Sequence, residues 1–210
     1  MHTAQAVLAR ARAGRHSNAW IFGTMGLSAA VSLLAAFVLS IDAWHLAANP
    51  DQALACDINA VLSCGKVALS WQAKVIGFPN AFIGLACEPV VVTIAVASLG
   101  GTRFPRWFMT AAQAVYLVGL IFAYWLFSQS LLVIGAMCPW CLVITVSTTF
   151  VFFTLLHANA MQGNLPISAK AQARLREFFE QDLDLFLIAT LMVLLAAAIV
   201  LKHGYALFGG

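Results

Sequence analysis

From Arg106 to Lys170 the chain carries no Asp, Glu, Lys or Arg at any intervening position. In hydrocarbon such a stretch satisfies its backbone polar groups only as helix, because lipid offers no hydrogen-bond partners. Composition extends the point to the whole molecule. Hydrophobic residues make up 62%, charged residues 9%, and mean hydropathy is +0.91, against about 25% charged residues in a soluble domain. The sequence therefore predicts an all-α integral membrane protein. At about 20 residues per crossing, 210 residues hold four or five spans with short connections and leave no room for a large soluble domain. No basic stripe is interleaved with aromatics, so nucleic-acid binding has no support.

Taken in order, residues 1–18 form a polar tail with Arg10, Arg12 and Arg15 and no acid. The apolar run from Ala19 to Ile41 is longer than the core of a signal peptide and lacks a cleavage site, which predicts a retained first span. Residues 42–78 are a polar loop longer than an ordinary connector, and such loops tend to carry function. Span two covers 79–99, broken only by Glu88-Pro89, and a basic turn over 100–106 leads to span three at 107–127. A short polar break at Ser128-Gln129-Ser130 precedes span four, at 132–157. Residues 158–182 form a linker whose second half, 169–180, is charged and predicted to lie as a helix along the membrane surface. Span five is 183–201, followed by a tail over 202–210.

Basic residues set the orientation. Arg10, Arg12, Arg15, Arg103, Arg106, Lys170, Arg174 and Arg176 fall on one side, against Lys66, Lys74 and Lys202 on the other. The positive-inside rule then predicts a cytoplasmic N-terminus and a cytoplasmic linker. Cys56, Cys64, Cys138 and Cys141 all fall on the external face, where disulfides persist.

Cys138-Pro139-Trp140-Cys141 is a Cys-x-x-Cys motif near a predicted helix start, where the helix dipole and free N–H groups favour a thiolate. Only the thiolate attacks a disulfide. The alternatives are a metal half-site or two inert thiols, and the apolar flanks offer no further zinc ligands, so redox chemistry is the preferred reading and no metal is expected. Cys56 and Cys64, eight residues apart, read equally as a structural disulfide or a redox pair. With both pairs on one face they suggest a relay from aqueous thiols to an acceptor dissolved in the bilayer.

The combination of Cys56-Asp57-Ile58-Asn59, Ser63-Cys64-Gly65, Ser70, Gly77-Phe78-Pro79-Asn80-Ala81 with Gly84, and Ser128-Gln129-Ser130-Leu131 through Cys138-Pro139-Trp140-Cys141 resembles the vitamin K epoxide reductase family, in particular its bacterial homologues. The similarity covers about residues 20–156. It implies a four-helix bundle over 19–157 around a quinone (ubiquinone or menaquinone), with the fifth helix appended, in a bacterial cytoplasmic membrane. It also implies a thiol:quinone oxidoreductase. Cys141 would lie beside the quinone ring, Cys138 would exchange with Cys64, and Cys56 would take the attack of a partner's thiolate. Asn80 would hydrogen-bond a quinone carbonyl and Ser70 would support the redox loop, both counted with the quinone site. Without the resemblance, Asn80 reads as a helix N-cap.

Bacterial members often carry a fused thioredoxin-like domain, and no second soluble Cys-x-x-Cys follows here, so the expected partner is a separate DsbA-like thioredoxin-fold protein. Thr145 stands where vertebrate members have a tyrosine, which favours ordinary quinone reduction over epoxide reduction. The DsbB-type oxidases place their Cys-x-x-Cys early in the chain, unlike this sequence. The rival from another class is a non-enzymatic membrane protein stapled by external disulfides. Cys87 reads as an inert buried thiol. Glu88 is a structural or proton-handling candidate whose acid could pair with backbone groups freed by Pro89. His157 and His203 are expected at interfaces, and Trp107, Tyr124 and Trp125 in an aromatic belt. Trp140 would either tune the thiols or pack on the quinone tail.

Overall fold

The computed structural model describes residues 14–208, with side chains described through Tyr205. Arg10, Arg12 and the rest of residues 1–13 in the expected tail lie outside the described residues, as do Gly209 and Gly210. Five helices are long and apolar enough to span a membrane. They are α1 (Asn18–Ala48), α3 (Ala81–Leu99), α4 (Arg106–Gln129), α5 (Pro139–Gln162) and α7 (Leu183–Phe208), with the short α2 (Cys64–Leu69) in the first loop and α6 (Ala169–Glu180) before α7. Among the described residues no strand forms, only one parallel bridge between Leu62 and Met137. The chain is an all-α membrane protein.

Local chemistry sets the helix ends. The Ser17 side chain accepts from Trp20 N to start α1, Ser63 accepts from Lys66 N to start α2, and Ser168 accepts from Ala171 N to start α6, as short hydroxyl side chains do at N-caps. Gly163 closes α5 in the left-handed conformation that glycine tolerates. The break before α5 differs from the expected one. Ser128-Gln129-Ser130 does not interrupt the third span: α4 runs on through a π-helical turn over Ser130–Ile134 and stops at Gly135, φ +67°. Ser, Gln and Ser can all continue a helix, whereas a left-handed Gly ends it. The fourth helix consequently begins at Pro139, with Cys138 as its N-cap.

The first helix packs most extensively on α3 and α5, and α4 packs on α5. Close approach depends on small residues: a Cβ on Gly84 would lie 2.7 Å from Ala36 Cβ, and one on Gly26 3.1 Å from Ala95 Cβ. Lipid is as apolar as the side chains, so such steric fit rather than hydrophobic transfer holds membrane helices together. Ile21, Phe22, Met25, Val91, Ile94, Met109 and Leu155 fill the core at one end. Leu46, Leu54, Cys56, Cys64, Val67, Ala136 and Cys138 form a second cluster at the other.

The final helix pair is fastened at the end remote from the cysteines. Arg15 donates to the carboxylates of Asp182 and Asp184 and, at 3.5 Å, to Phe179 O. His157, expected at an interface near the end of its span, is covered by protein there. It is buried, stacks on Phe179 at 4.5 Å between ring centroids and shares a 3.0 Å hydrogen bond with His16. Trp107 is exposed as a belt residue would be, whereas the Tyr124 hydroxyl turns inward to Thr149 Oγ1 at 3.2 Å.

Candidate functional site

The loop between α1 and α3 is pinned to the start of α5 by main-chain bonds. Ser63 N donates to Met137 O at 3.0 Å and Met137 N to Val61 O at 2.6 Å. Asp57 organises the loop from within. Its Oδ1 accepts from Ser63 Oγ (2.8 Å) and Gly65 N (2.9 Å), and its Oδ2 from Leu54 N (2.8 Å). Burial pushes the Asp57 carboxyl up, but these donors and the Cys64 N–H outweigh it and hold the group below its usual range. Gly65 leaves the room this needs, since a Cβ there would sit 3.0 Å from Asp57 Oδ2. Asn59 Oδ1 accepts from Val61 N and Leu62 N at 2.9 and 2.8 Å. In the sequence Asp57 and Asn59 stand out only as parts of a motif. Their position between two cysteines, ahead of Gly65, is the signal in the sequence for a structural role.

This scaffold brings the four expected cysteines together. Cys56 and Cys64 form a disulfide, and Cys138 and Cys141 are free thiols. Cys138 Sγ lies 3.2 Å from Cys64 Sγ, and both residues are buried. As N-cap, Cys138 Sγ also accepts from Cys141 N at 3.4 Å. The Cys141 side chain, and then the Cys141 and Trp140 N–H groups, lower the Cys138 thiol against the opposing effect of burial. That is the stabilisation of a thiolate at a helix start. Trp140 packs against this thiol cluster and is not among the residues that line the adjoining cavity.

A cavity of about 670 Å³ adjoins the thiols and is lined by Cys64, Cys138, Cys141, Asn80, Glu88 and Thr145 among mostly apolar neighbours. Its size and apolar walls with a few polar groups are those of a small-molecule site. Asn80 sits at the N-cap position of α3 but makes no side-chain cap bond. Its Nδ2 donates to Gln72 O at 2.7 Å, and its Oδ1 is buried without a partner. That bond fixes the amide, leaving one N–H and one acceptor for a ligand. A quinone, with two ring oxygens on an apolar body, fits these donors and walls. Ser70, counted with the quinone site from sequence, is not among the lining residues. Its hydroxyl donates to Val67 O at 2.6 Å and closes α2.

Two further expectations change. Glu88 does not pair with backbone freed by Pro89; its carboxyl accepts from Ser32 Oγ and the Tyr116 hydroxyl, each at 2.7 Å. Cys87 is free and lines the same cavity. Among the described residues no group of three or more His, Cys, Asp and Glu is placed to hold a metal.

The sequence pattern that defines the Vitamin K epoxide reductase family matches residues 24–156, well over half of the chain. No curated protein matches the chain. The match takes in most of α1 and α5 and everything between them, and therefore all four clustered cysteines, Asn80 and the cavity.

Proposed function

Because the chain belongs to the vitamin K epoxide reductase family, we propose that it is a membrane thiol:quinone oxidoreductase that forms disulfides in a DsbA-like thioredoxin-fold partner. The partner's thiolate attacks Cys56 Sγ, the bond to Cys64 breaks, and Cys64 leaves as a thiolate. Cys64 attacks Cys138 in a Cys138–Cys141 disulfide, releasing the Cys141 thiolate beside the cavity. The partner's second thiol displaces Cys56, which closes again on Cys64 and frees Cys138. The result is an oxidised loop pair and a reduced Cys138/Cys141 pair, the state described above. A quinone bound in the cavity supplies a two-electron, two-proton acceptor. Asn80 orients it through its free N–H, and a donor aimed at a quinone oxygen favours charge arriving there.

The observation that carries this reading is the 3.2 Å separation of Cys64 and Cys138, with Cys141 opening onto the cavity. Orientation follows from charge. Arg15, Arg103, Arg106, Lys170, Arg174 and Arg176 belong to the helix ends away from the cysteines. The positive-inside rule puts those ends in the cytoplasm and the thiols on the external face of a bacterial cytoplasmic membrane. Epoxide reduction is the less favoured reaction, because the Thr145 hydroxyl donates to Cys141 O at 2.9 Å and is occupied within its own helix.

The test is quinone reduction, followed by absorbance, by purified protein supplied with a reduced thioredoxin-fold dithiol. Cys138→Ser and Cys141→Ser should each lose turnover. Cys56→Ser should lose it with the protein dithiol while retaining oxidation of dithiothreitol. Full turnover in Cys141→Ser would overturn the relay.

A further inference from the structure

Glu88 is the only acid in α3 and faces the same cavity as Asn80, eight residues earlier. It is 5% exposed, and among the described residues no cation pairs with it. Its two hydrogen-bond donors come from different helices: Ser32 from α1 and Tyr116 from α4, both buried. A carboxyl in hydrocarbon without a cation partner is carried as the neutral acid, since an unpaired charge there costs far more. Such an acid has one O–H of its own to place. With Ser32 and Tyr116 as donors, one direction at each carboxyl oxygen is taken, and because Glu88 also lines the cavity its own proton can be placed there.

We propose that Glu88 is a second polar anchor of this cavity, donating a hydrogen bond to the far oxygen of a para-quinone whose near oxygen faces Asn80. The proposal rests on the quinone reading above and adds what selects the ligand. Eight residues of α-helix separate the two Cα positions by about 12 Å along the axis of α3. A para-quinone flanked by two hydrogen bonds of about 2.8 Å each spans about 11 Å from donor to donor. The ring's oxygen-to-oxygen axis then runs along α3, and a ligand with one oxygen satisfies only one end. Ser32 and Tyr116 are positioning residues that fix the carboxyl's rotamer. The rest of the wall is mostly apolar.

The experiment is equilibrium binding to the purified full chain in lipid nanodiscs, read by quenching of tryptophan fluorescence. The probes are duroquinone and the matching tetramethylphenol, which keeps the ring and methyls with one oxygen. The unaltered protein should prefer duroquinone by about tenfold, the worth of one buried hydrogen bond. Glu88→Leu should weaken duroquinone by about tenfold, leave the phenol unchanged and abolish the preference. Glu88→Gln, which keeps an N–H donor, should stay within about threefold of the unaltered protein. If Glu88 only braces three helices, Glu88→Leu weakens both probes equally or neither, and either result overturns the proposal while leaving the quinone reading intact. Failure of the folded, unaltered protein to bind duroquinone overturns the quinone reading and this proposal with it.

Discussion

Cys64 and Cys138 are 74 residues apart in sequence and 3.2 Å apart at sulfur, and main-chain bonds hold them there. The Ser63–Met137 and Met137–Val61 bonds set the register one residue away from each cysteine, so the approach should survive loss of the other two thiols. In Cys56→Ser combined with Cys141→Ser, mild oxidation should join Cys64 to Cys138. Peptide mapping without reduction reads the bond directly. Recovery of free Cys64, or its pairing with Cys87, would show that the two sulfurs do not meet in the membrane.

Asp57 makes the loop pH-sensitive, and the sign follows from its depressed carboxyl. A group held below its ordinary value contributes stability that is complete above that value, near pH 4 for aspartate. The contribution is lost as pH falls through that value towards the lower one in the folded loop. Hydrogen-exchange protection at Leu54 and Gly65 should therefore be full at pH 6 and decline below about pH 4. Asp57→Ala should remove it at both pH values, at a cost of about 1–3 kcal/mol for donors left without a partner. Asp57→Asn, which keeps one acceptor oxygen, should lose less. Protection in Asp57→Ala equal to that of the unaltered protein at pH 6 would remove Asp57 from the account.

Gly84→Ala tests the packing that shapes the cavity. The added methyl would meet Ala36 Cβ at 2.7 Å, with helix backbone behind both, so α1 and α3 must separate. Overpacking of this kind costs about 1–3 kcal/mol. Both residues line the cavity, so the expected result is a lower midpoint of thermal inactivation together with weaker quinone binding. A variant with unchanged midpoint and affinity would mean the two helices can part without cost.

How far the sequence carried depended on whether a feature was local. Helix number and type followed from apolar runs. The cysteine constellation was implied by the family resemblance, whose motifs are local: Asp57, Ser63 and Gly65 act within nine residues of Cys56. What was illegible came from distant chain. A helix that is apolar all round carries no stripe to say which side is buried. Hence the inward turn of Tyr124, the burial of His157 under Phe179 and the pairing of Glu88 with Ser32 and Tyr116 could not be read from periodicity. Ser70 belongs to the loop, its hydroxyl closing α2 on Val67 O, and is not among the cavity-lining residues. The break before α5 is set by backbone conformation rather than by polarity. Gly135, not Ser128, is where the helix cannot continue.

The clamp at the other end should be separable from the chemistry. Arg15 is buried and forks between Asp182 and Asp184, also reaching Phe179 O, which joins the start of α1 to the junction of α6 and α7. Arg15→Ala removes the cation beside Asp184, itself buried. Breaking such a pair from one side costs about 3–5 kcal/mol, and here the loss falls on docking of the last two helices. Lysine should restore little, because a single ammonium cannot reproduce the two-pronged geometry. Trypsin should then cut faster at Lys170, Arg174 and Arg176 in Arg15→Ala and in Arg15→Lys. The yield of the trapped Cys64–Cys138 disulfide, formed at the opposite end of α1, should not change. Unaltered cleavage in Arg15→Ala would show that packing of Phe179 against His157 is sufficient to hold α6 in place. A fall in the trapped disulfide would instead mean that α1 transmits the clamp along its length.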